Sequence, residues 1–175
     1  MKKTLLGLAT SALFITGSAV AQDHSTTVVI NGFVAPAEIV CIVQPSESSV
    51  SLVEQPENLI NQGDNATAPY VVHLSVDGDP GCATKVEQGK IAYKFSGVAD
   101  EGDGTALANA LTDDTAAKGV AIGVFDSDNK PVSVNTGRLT AKKDTAFGLQ
   151  MVRLTGHEAV SGNINTFVTI DIERL

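Results

Sequence analysis

Short apolar runs alternate with polar residues along most of the chain, and clusters of Gly, Asp, Asn and Pro separate them. A two-residue period indicates strands, whereas helices need a period near 3.6, which is almost absent here. Turn signals fall at the spacing typical of an immunoglobulin-like sandwich. We therefore predict an all-β sandwich built from about seven runs: TTVVINGFV, EIVCIVQ, YVVHLSV, KIAYKFSGV, GVAIGVF, TAFGLQMVRL and NTFVTIDI.

The connections between these runs carry weaker signals. The polar stretch from Pro45 to Pro69 predicts a long connection with one short strand at Val50 to Val53. DGDPG is interpreted as a turn that leads to Cys82, and a short return strand is predicted after a turn at Asp126 to Lys130. The segment from Ala99 to Gly119 is either a loop or a short helical turn.

The last run has one apolar face, formed by Val168, Ile170 and Ile172, with polar residues between them. This alternation predicts a strand with one buried side. A strand at the edge of a sheet leaves a row of backbone groups unpaired, and an apolar edge is unusual. The pattern therefore raises the question of what pairs with this strand.

The first residues have the layout of a secretory signal peptide. Lys2 and Lys3 precede an apolar stretch, and Ala19-Val20-Ala21 is a small-residue cleavage site. A transmembrane anchor would need close to 20 apolar residues, and this run is too short. We expect cleavage after Ala21, which leaves a chain from Gln22 to Leu175 with the size of one domain.

The chain is acidic, with 20 Asp and Glu against 12 Lys and Arg and a net charge of -8. Loss of Lys2 and Lys3 with the signal peptide would lower the net charge to -10. Nucleic acid and anionic membranes are therefore not expected partners, because no basic patch is present to neutralise phosphates.

Cys41 and Cys82 are the two cysteines. An even number in an exported chain predicts one disulfide, the alternative being two free buried thiols. Closing a loop of about 40 residues would stabilise the fold by roughly 4 kcal/mol in the chain-entropy account.

No catalytic constellation is present. His24, His73 and His157 lie in separate segments without partners at metal-ligand spacing, so we expect them at the surface. The motifs of nucleophilic hydrolases and of phosphate-binding loops are missing. We therefore predict neither enzymatic activity nor a cofactor.

ADEGDGT brings Asp100, Glu101 and Asp103 together, and clustered carboxylates can bind calcium. This stretch lacks the spaced ligand series of a calcium loop and its closing Glu. A solvated acidic turn is the favoured interpretation, and no metal site is predicted.

Several pieces occur in a specific order: the signal peptide, INGFV followed by Cys41, VVHLSV followed by Cys82, then GVAIGVFDSDNKPV and LQMVRLTG. Gly162 follows as the fourteenth residue from the C-terminus. Over its whole length the chain resembles the type 1 fimbrial pilins that the chaperone-usher route assembles in Gram-negative bacteria. One departure is Arg174, which stands where this family usually carries Tyr.

The resemblance implies an incomplete immunoglobulin-like sandwich of six to seven strands that lacks its final strand. A hydrophobic groove would then lie open beside the C-terminal strand. A periplasmic chaperone would first lend a strand to this groove, and the N-terminal extension of the next subunit would replace it. The implied partners are this chaperone, an outer-membrane usher and neighbouring pilin subunits, and the implied location is a cell-surface fimbrium reached through the periplasm.

In residues of this chain, 1–21 would be the signal peptide, 22–33 the donor strand and 34–175 the pilin domain. The donor strand would present Thr26, Val28 and Ile30 to the groove of a neighbour. The groove edge that binds chaperone and subunit would be formed by Gly162, Val168, Ile170 and Ile172.

The leading hypothesis is thus a structural subunit that polymerises by donor-strand exchange. An adaptor or terminating minor subunit is an alternative. A receptor-binding adhesin would normally need an additional lectin domain, for which the length leaves no space. A small secreted enzyme is disfavoured because no catalytic residues converge.

Overall fold

The computed structural model describes residues 38–175. The predicted signal peptide and the predicted donor strand, with His24, Thr26, Val28 and Ile30, lie outside the described residues. In the part that is described, no helix has both the length and the apolar character that crossing a membrane requires.

The described chain is built mainly from strands. Six strands have five or more residues and two have only two, while a single α-helix and a 3-10 turn at Pro56–Asn58 complete the regular structure. The elements are β1 (Cys41–Pro45), β2 (Ile60–Asn61), β3 (Tyr70–Gly78), α1 (Pro80–Glu87), β4 (Ile91–Ser96), β5 (Val120–Phe125), β6 (Leu139–Thr140), β7 (Thr145–Arg153) and β8 (Thr169–Arg174).

These strands form two sheets. In the larger sheet the order is β1, β3, β7, β2, and β5 also pairs with β7. In the smaller sheet β4 lies between β6 and β8. Every pairing is antiparallel except that of β2 with β7. The two-sheet, mostly β architecture confirms the predicted fold class.

The core lies between the inner faces of the two sheets. Val72 and Leu74 of β3 point into it, as do Ile91, Tyr93 and Phe95 of β4, all at the predicted alternate positions. Phe95 meets Phe147 of β7, with ring centroids 4.8 Å apart. This aromatic pair joins the two sheets, since β4 and β7 belong to different ones.

The helix α1 was not predicted, because DGDPG was interpreted as a turn. Pro80 occupies the first helical turn, where a missing N–H costs nothing and the fixed φ of proline suits the helix. Cys82 and Val86, four residues apart, form its buried face. Pro80, which suggested a turn in the sequence, therefore lies in the first turn of a helix.

Two predicted strands are absent from the described residues. Val50 to Val53 is not a strand, although Val50 and Leu52 pack against the core. The return strand after Lys130 is reduced to a bridge between Phe125 and Pro131. Pro131 has no N–H with which to extend a ladder. The undecided segment from Ala99 to Gly119 contains no helix and forms isolated bridges.

Candidate functional site: an apolar groove beside the last strand

The strand β8 is paired along one edge. It lies antiparallel to β4, with Ile170 opposite Phe95 and Ile172 opposite Tyr93. Within residues 38–175, no strand pairs with its other edge. That edge therefore has no backbone partner among the described residues.

The inward face of this edge is apolar but incompletely covered. Val168, Ile170 and Ile172 pack against the core, yet each remains only half-buried. Thr169 and Asp171, between them, are exposed. A complete sandwich would remove such aliphatic side chains from water, and no strand of residues 38–175 covers this face along its length.

The apolar face of β8 forms one rim of a candidate groove. A second apolar rim lies near it, because β1 contacts β8 and Leu52 shares a cavity with residues that lead into β8. Val43, Val50 and Leu52 are half-buried, and they pack against the same core. The sequence pattern showed Val50 and Leu52 as an alternating pair but could not show that they lie near β8. These three residues were missing from the predicted site.

One contact at each end shows the relative direction of the two rims. At one end, the guanidinium of Arg174 donates a hydrogen bond to the carbonyl oxygen of Ile39. At the other end, Leu52 and Val53 line the same cavity as Gly162 and Ile164, with a volume of about 330 Å³. The rims thus run in opposite directions and frame a groove, whose apolar residues are Val43, Val50, Leu52, Ile164, Val168, Ile170 and Ile172.

Gly162 is required at the cavity end by close backbone packing. A Cβ atom at this position would lie 2.6 Å from the carbonyl carbon of Ala116 and 2.7 Å from the oxygen of Thr115. The next residue, Asn163, donates its N–H to that Thr115 oxygen at 2.7 Å. A side chain at 162 would therefore displace the segment that leads into β8.

The opposite end is held by the disulfide and by charged groups. Cys41 and Cys82 are bonded, as predicted, and this links β1 to α1. The N–H of Val40 donates to Oδ2 of Asp79 at 2.7 Å, which fixes the start of β1. Arg138 donates two hydrogen bonds to Glu173, at 2.6 and 2.7 Å, and lowers the pKa of this carboxyl.

A family model described as fimbrial protein matches residues 28–173. This chain belongs to the fimbrial protein family. Its members are subunits of chaperone-usher fimbriae, so the resemblance noted in the sequence is confirmed.

Two relatives agree with this assignment. The long polar fimbria protein A of Salmonella typhimurium (strain LT2) is 32% identical over 142 residues, which cover 80% of this chain and 76% of the relative. The probable major fimbrial subunit LpfA of Escherichia coli O157:H7 is 29% identical over 161 residues, 90% of this chain and 84% of the relative.

The fold also resembles that of a solved pilus protein. The crystal structure of the P pilus rod subunit PapA superimposes with a TM-score of 0.54 and 14% identity, covering 86% of this chain and all of that one. At this identity the match supports the fold alone, and it agrees with an immunoglobulin-like sandwich.

The sequence pattern of Asp100, Glu101 and Asp103 favoured a solvated acidic turn. For Asp100 this interpretation is wrong, because its side chain is buried. Asp100 is buried, and its carboxylate accepts hydrogen bonds from the backbone N–H groups of Gly102, Gly104 and Ala106. The side chain of Gln62 also donates to it at 2.8 Å. Burial raises the pKa of Asp100, but these hydrogen bonds more than offset that effect and hold it below its ordinary value.

The histidines of the described chain lie at the surface, as predicted. His73 is exposed, with Nδ1 3.0 Å from Oδ1 of Asp144, and His157 is exposed, with Nδ1 3.8 Å from Oε1 of Glu101. Over residues 38–175, no group of three or more His, Cys, Asp or Glu side chains could hold a metal ion.

Proposed function

We propose that this fimbrial subunit is a structural subunit that polymerises by donor-strand exchange. The observation that carries the proposal is the half-buried apolar face of β8 beside an edge to which no strand of residues 38–175 is paired. An added strand would supply the missing backbone hydrogen bonds, and its alternate side chains would fill the groove.

The donor would be the N-terminal extension, residues 22–33, of the next subunit. Its alternation places Thr26, Val28 and Ile30 on one face. Burying Val28 and Ile30 would contribute roughly 3 to 6 kcal/mol, less the cost of ordering the extension. Because a one-residue slip would turn these side chains outward, the same pattern would set the register.

Donor-strand exchange implies which proteins would bind this subunit. Neighbouring subunits would join head to tail, and such a contact does not close on itself, so it builds a filament. Before assembly, a periplasmic chaperone would cover the groove, and an outer-membrane usher would receive the complex. The chain would be exported by the signal peptide at 1–21, its domain at 34–175 would form the body of each subunit, and the product would be a fimbrium on the cell surface.

A tethered donor tests the proposal. We compare the mature chain, Gln22 to Leu175, with the same chain carrying a second copy of QDHSTTVVINGF after Leu175. The tethered form is expected to be a soluble monomer with a higher denaturant midpoint, because the copy fills the groove. The untethered form is expected to aggregate or to unfold much earlier. Equal stability of the two forms would count against an open groove.

Two substitutions in the tethered chain serve as a matched pair. Ile170→Asp places an unpaired charge under the added strand and should abolish the gain from the tether. Thr169→Asp changes the neighbouring residue, whose side chain is exposed, and should keep the gain. If Thr169→Asp abolished the gain in stability from the tether and Ile170→Asp did not, the groove would lie on the other face of β8.

A further inference from the structure

Two exposed apolar side chains lie just outside the paired strands β4 and β8, one two residues after the end of β4 and the other two residues before the beginning of β8. Val98 is 70% exposed and Phe167 is 77% exposed. Ser96 pairs with Thr169, and continuing this register by two residues places Val98 opposite Phe167. The segments remain adjacent there, since a Cβ atom on Gly97 would lie 2.9 Å from the carbonyl oxygen of Phe167.

These two side chains belong to the outer face of the smaller sheet, not to the groove. Strand alternation puts Phe167 on the same side as Thr169 and Asp171, and Val98 on the same side as Ser96. Polar side chains lie beside them on that face, as in the hydrogen bond from Ser96 to Asp171 at 2.7 Å. Isolated exposed apolar residues are common, but an opposed pair at one end of a polar face suggests a contact surface.

The direction of the donor strand decides which part of the donor subunit lies near Val98 and Phe167. A strand that adds to β8 in the antiparallel sense continues the pattern set by β4 and forms the slightly more stable ladder. Such a donor ends, at its C-terminal side, beside the beginning of β8. The domain of the donor subunit therefore starts next to Val98 and Phe167.

The donor domain presents its own apolar side chains at its start. Val40, immediately before β1, is 59% exposed, and Ile42, the second residue of β1, is 51% exposed. Only six residues, 34–39, separate the donor strand from Val40, a reach of at most about 20 Å. The start of β1 is thus held close to the neighbour into which the donor strand inserts.

We propose that Val98 and Phe167 form a docking surface for Val40 and Ile42 of the next copy of this chain. The inference rests on the proposed donor-strand exchange and adds to it a second contact, outside the groove. The contact is heterologous, because different residues of the two copies meet. It would restrain the angle between successive subunits. The donor strand alone would leave this angle free, because a short linker joins the strand to its domain.

The experiment compares fibres with a peptide. Fibres of the mature chain carrying Phe167→Asp, or separately Val98→Asp, should dissociate in denaturant at least about tenfold faster than wild-type fibres, because a buried contact is lost. A peptide of residues 22–33, refolded with the same variants, should bind with an affinity within about twofold of wild type, since it has no domain to dock. Val40→Lys combined with Phe167→Asp should restore part of the fibre stability by pairing the two charges.

Each outcome has a distinct meaning. Failure of the peptide to bind the wild-type chain would refute donor-strand exchange itself. Weakened peptide binding in Phe167→Asp would assign Phe167 to the groove and overturn the docking surface. Unchanged fibres in both single variants would also overturn it. Weakened fibres without rescue by Val40→Lys would reject the start of β1 as the partner surface.

Discussion

The strands β5 and β8 are both six residues long, and each pairs with one strand, β7 or β4. All six residues of β5 are buried, whereas none of the residues of β8 is. The second edge of β5 is covered by its own chain. Leu107 exchanges two backbone hydrogen bonds with Ile122, at 2.9 and 3.0 Å, and Val132 donates to Val124 at 2.7 Å.

The second edge of β8 has no such cover within residues 38–175. The described residues therefore complete one of these two edges and leave the other without a strand partner. Stability at β5 belongs to the single subunit. At β8 the full stability should appear only when a strand is added from outside, and this difference can be tested by substitution.

The largest effect is expected where the two sheets meet. Phe95→Ala removes a fully buried ring that packs on Phe147, and it should lower the free energy of unfolding by about 3 to 5 kcal/mol. The loss should be similar in the tethered and untethered chains, because both rings are already buried without an added strand. Denaturant titration of both forms measures it, and a loss confined to one form would contradict the separation.

A matched pair of valines compares the two edges directly. Val124→Ala on β5 should cost about 2 to 3 kcal/mol in either form, because this side chain is already buried. Val168→Ala, immediately before β8, should cost less than about 1 kcal/mol without the tether, since its side chain is only half-buried.

When the tether fills the groove, the cost of Val168→Ala should rise towards that of Val124→Ala. Unfolding of both variants in both forms provides the four values needed. An equal cost for Val168→Ala with and without the tether would mean that this residue does not line the groove.

A smaller effect is expected at Asp100, whose side chain is also buried without an added strand. An Asn amide can accept on one side only, so Asp100→Asn leaves buried N–H groups unpaired and should cost about 1 to 3 kcal/mol near neutral pH. Because the folded pKa is lowered, the contribution of the carboxylate is present above the unfolded pKa of about 3.9 and is lost as the pH falls towards the folded pKa.

The difference in stability between wild type and Asp100→Asn should therefore shrink below about pH 4. Unfolding titrations from neutral to acid pH measure this. A difference that stays constant across the range would exclude the ionised carboxylate as its source.

The strands were largely predictable because burial of one face imposes a local two-residue period. The disulfide was predictable from two cysteines in a chain with a predicted secretory leader. The buried state of Asp100 was not, since its surroundings include Gln62, which is 38 residues away in sequence and donates one of its hydrogen bonds. Val50 and Leu52 appeared in the pattern, but their place near β8 depends on the packing of distant segments.

The sequence by itself therefore determined most of the long strands of the described chain, the faces that they bury and the cysteines that pair, because these properties follow from local periodicity and composition. Only the tertiary structure decided which edge is covered. β5 and β8 are strands of equal length, and they differ because the segments around Leu107 and Val132 return to β5, while none of the described residues forms a ladder along the outer edge of β8. Such returns depend on contacts between residues far apart in the chain, which no local pattern records.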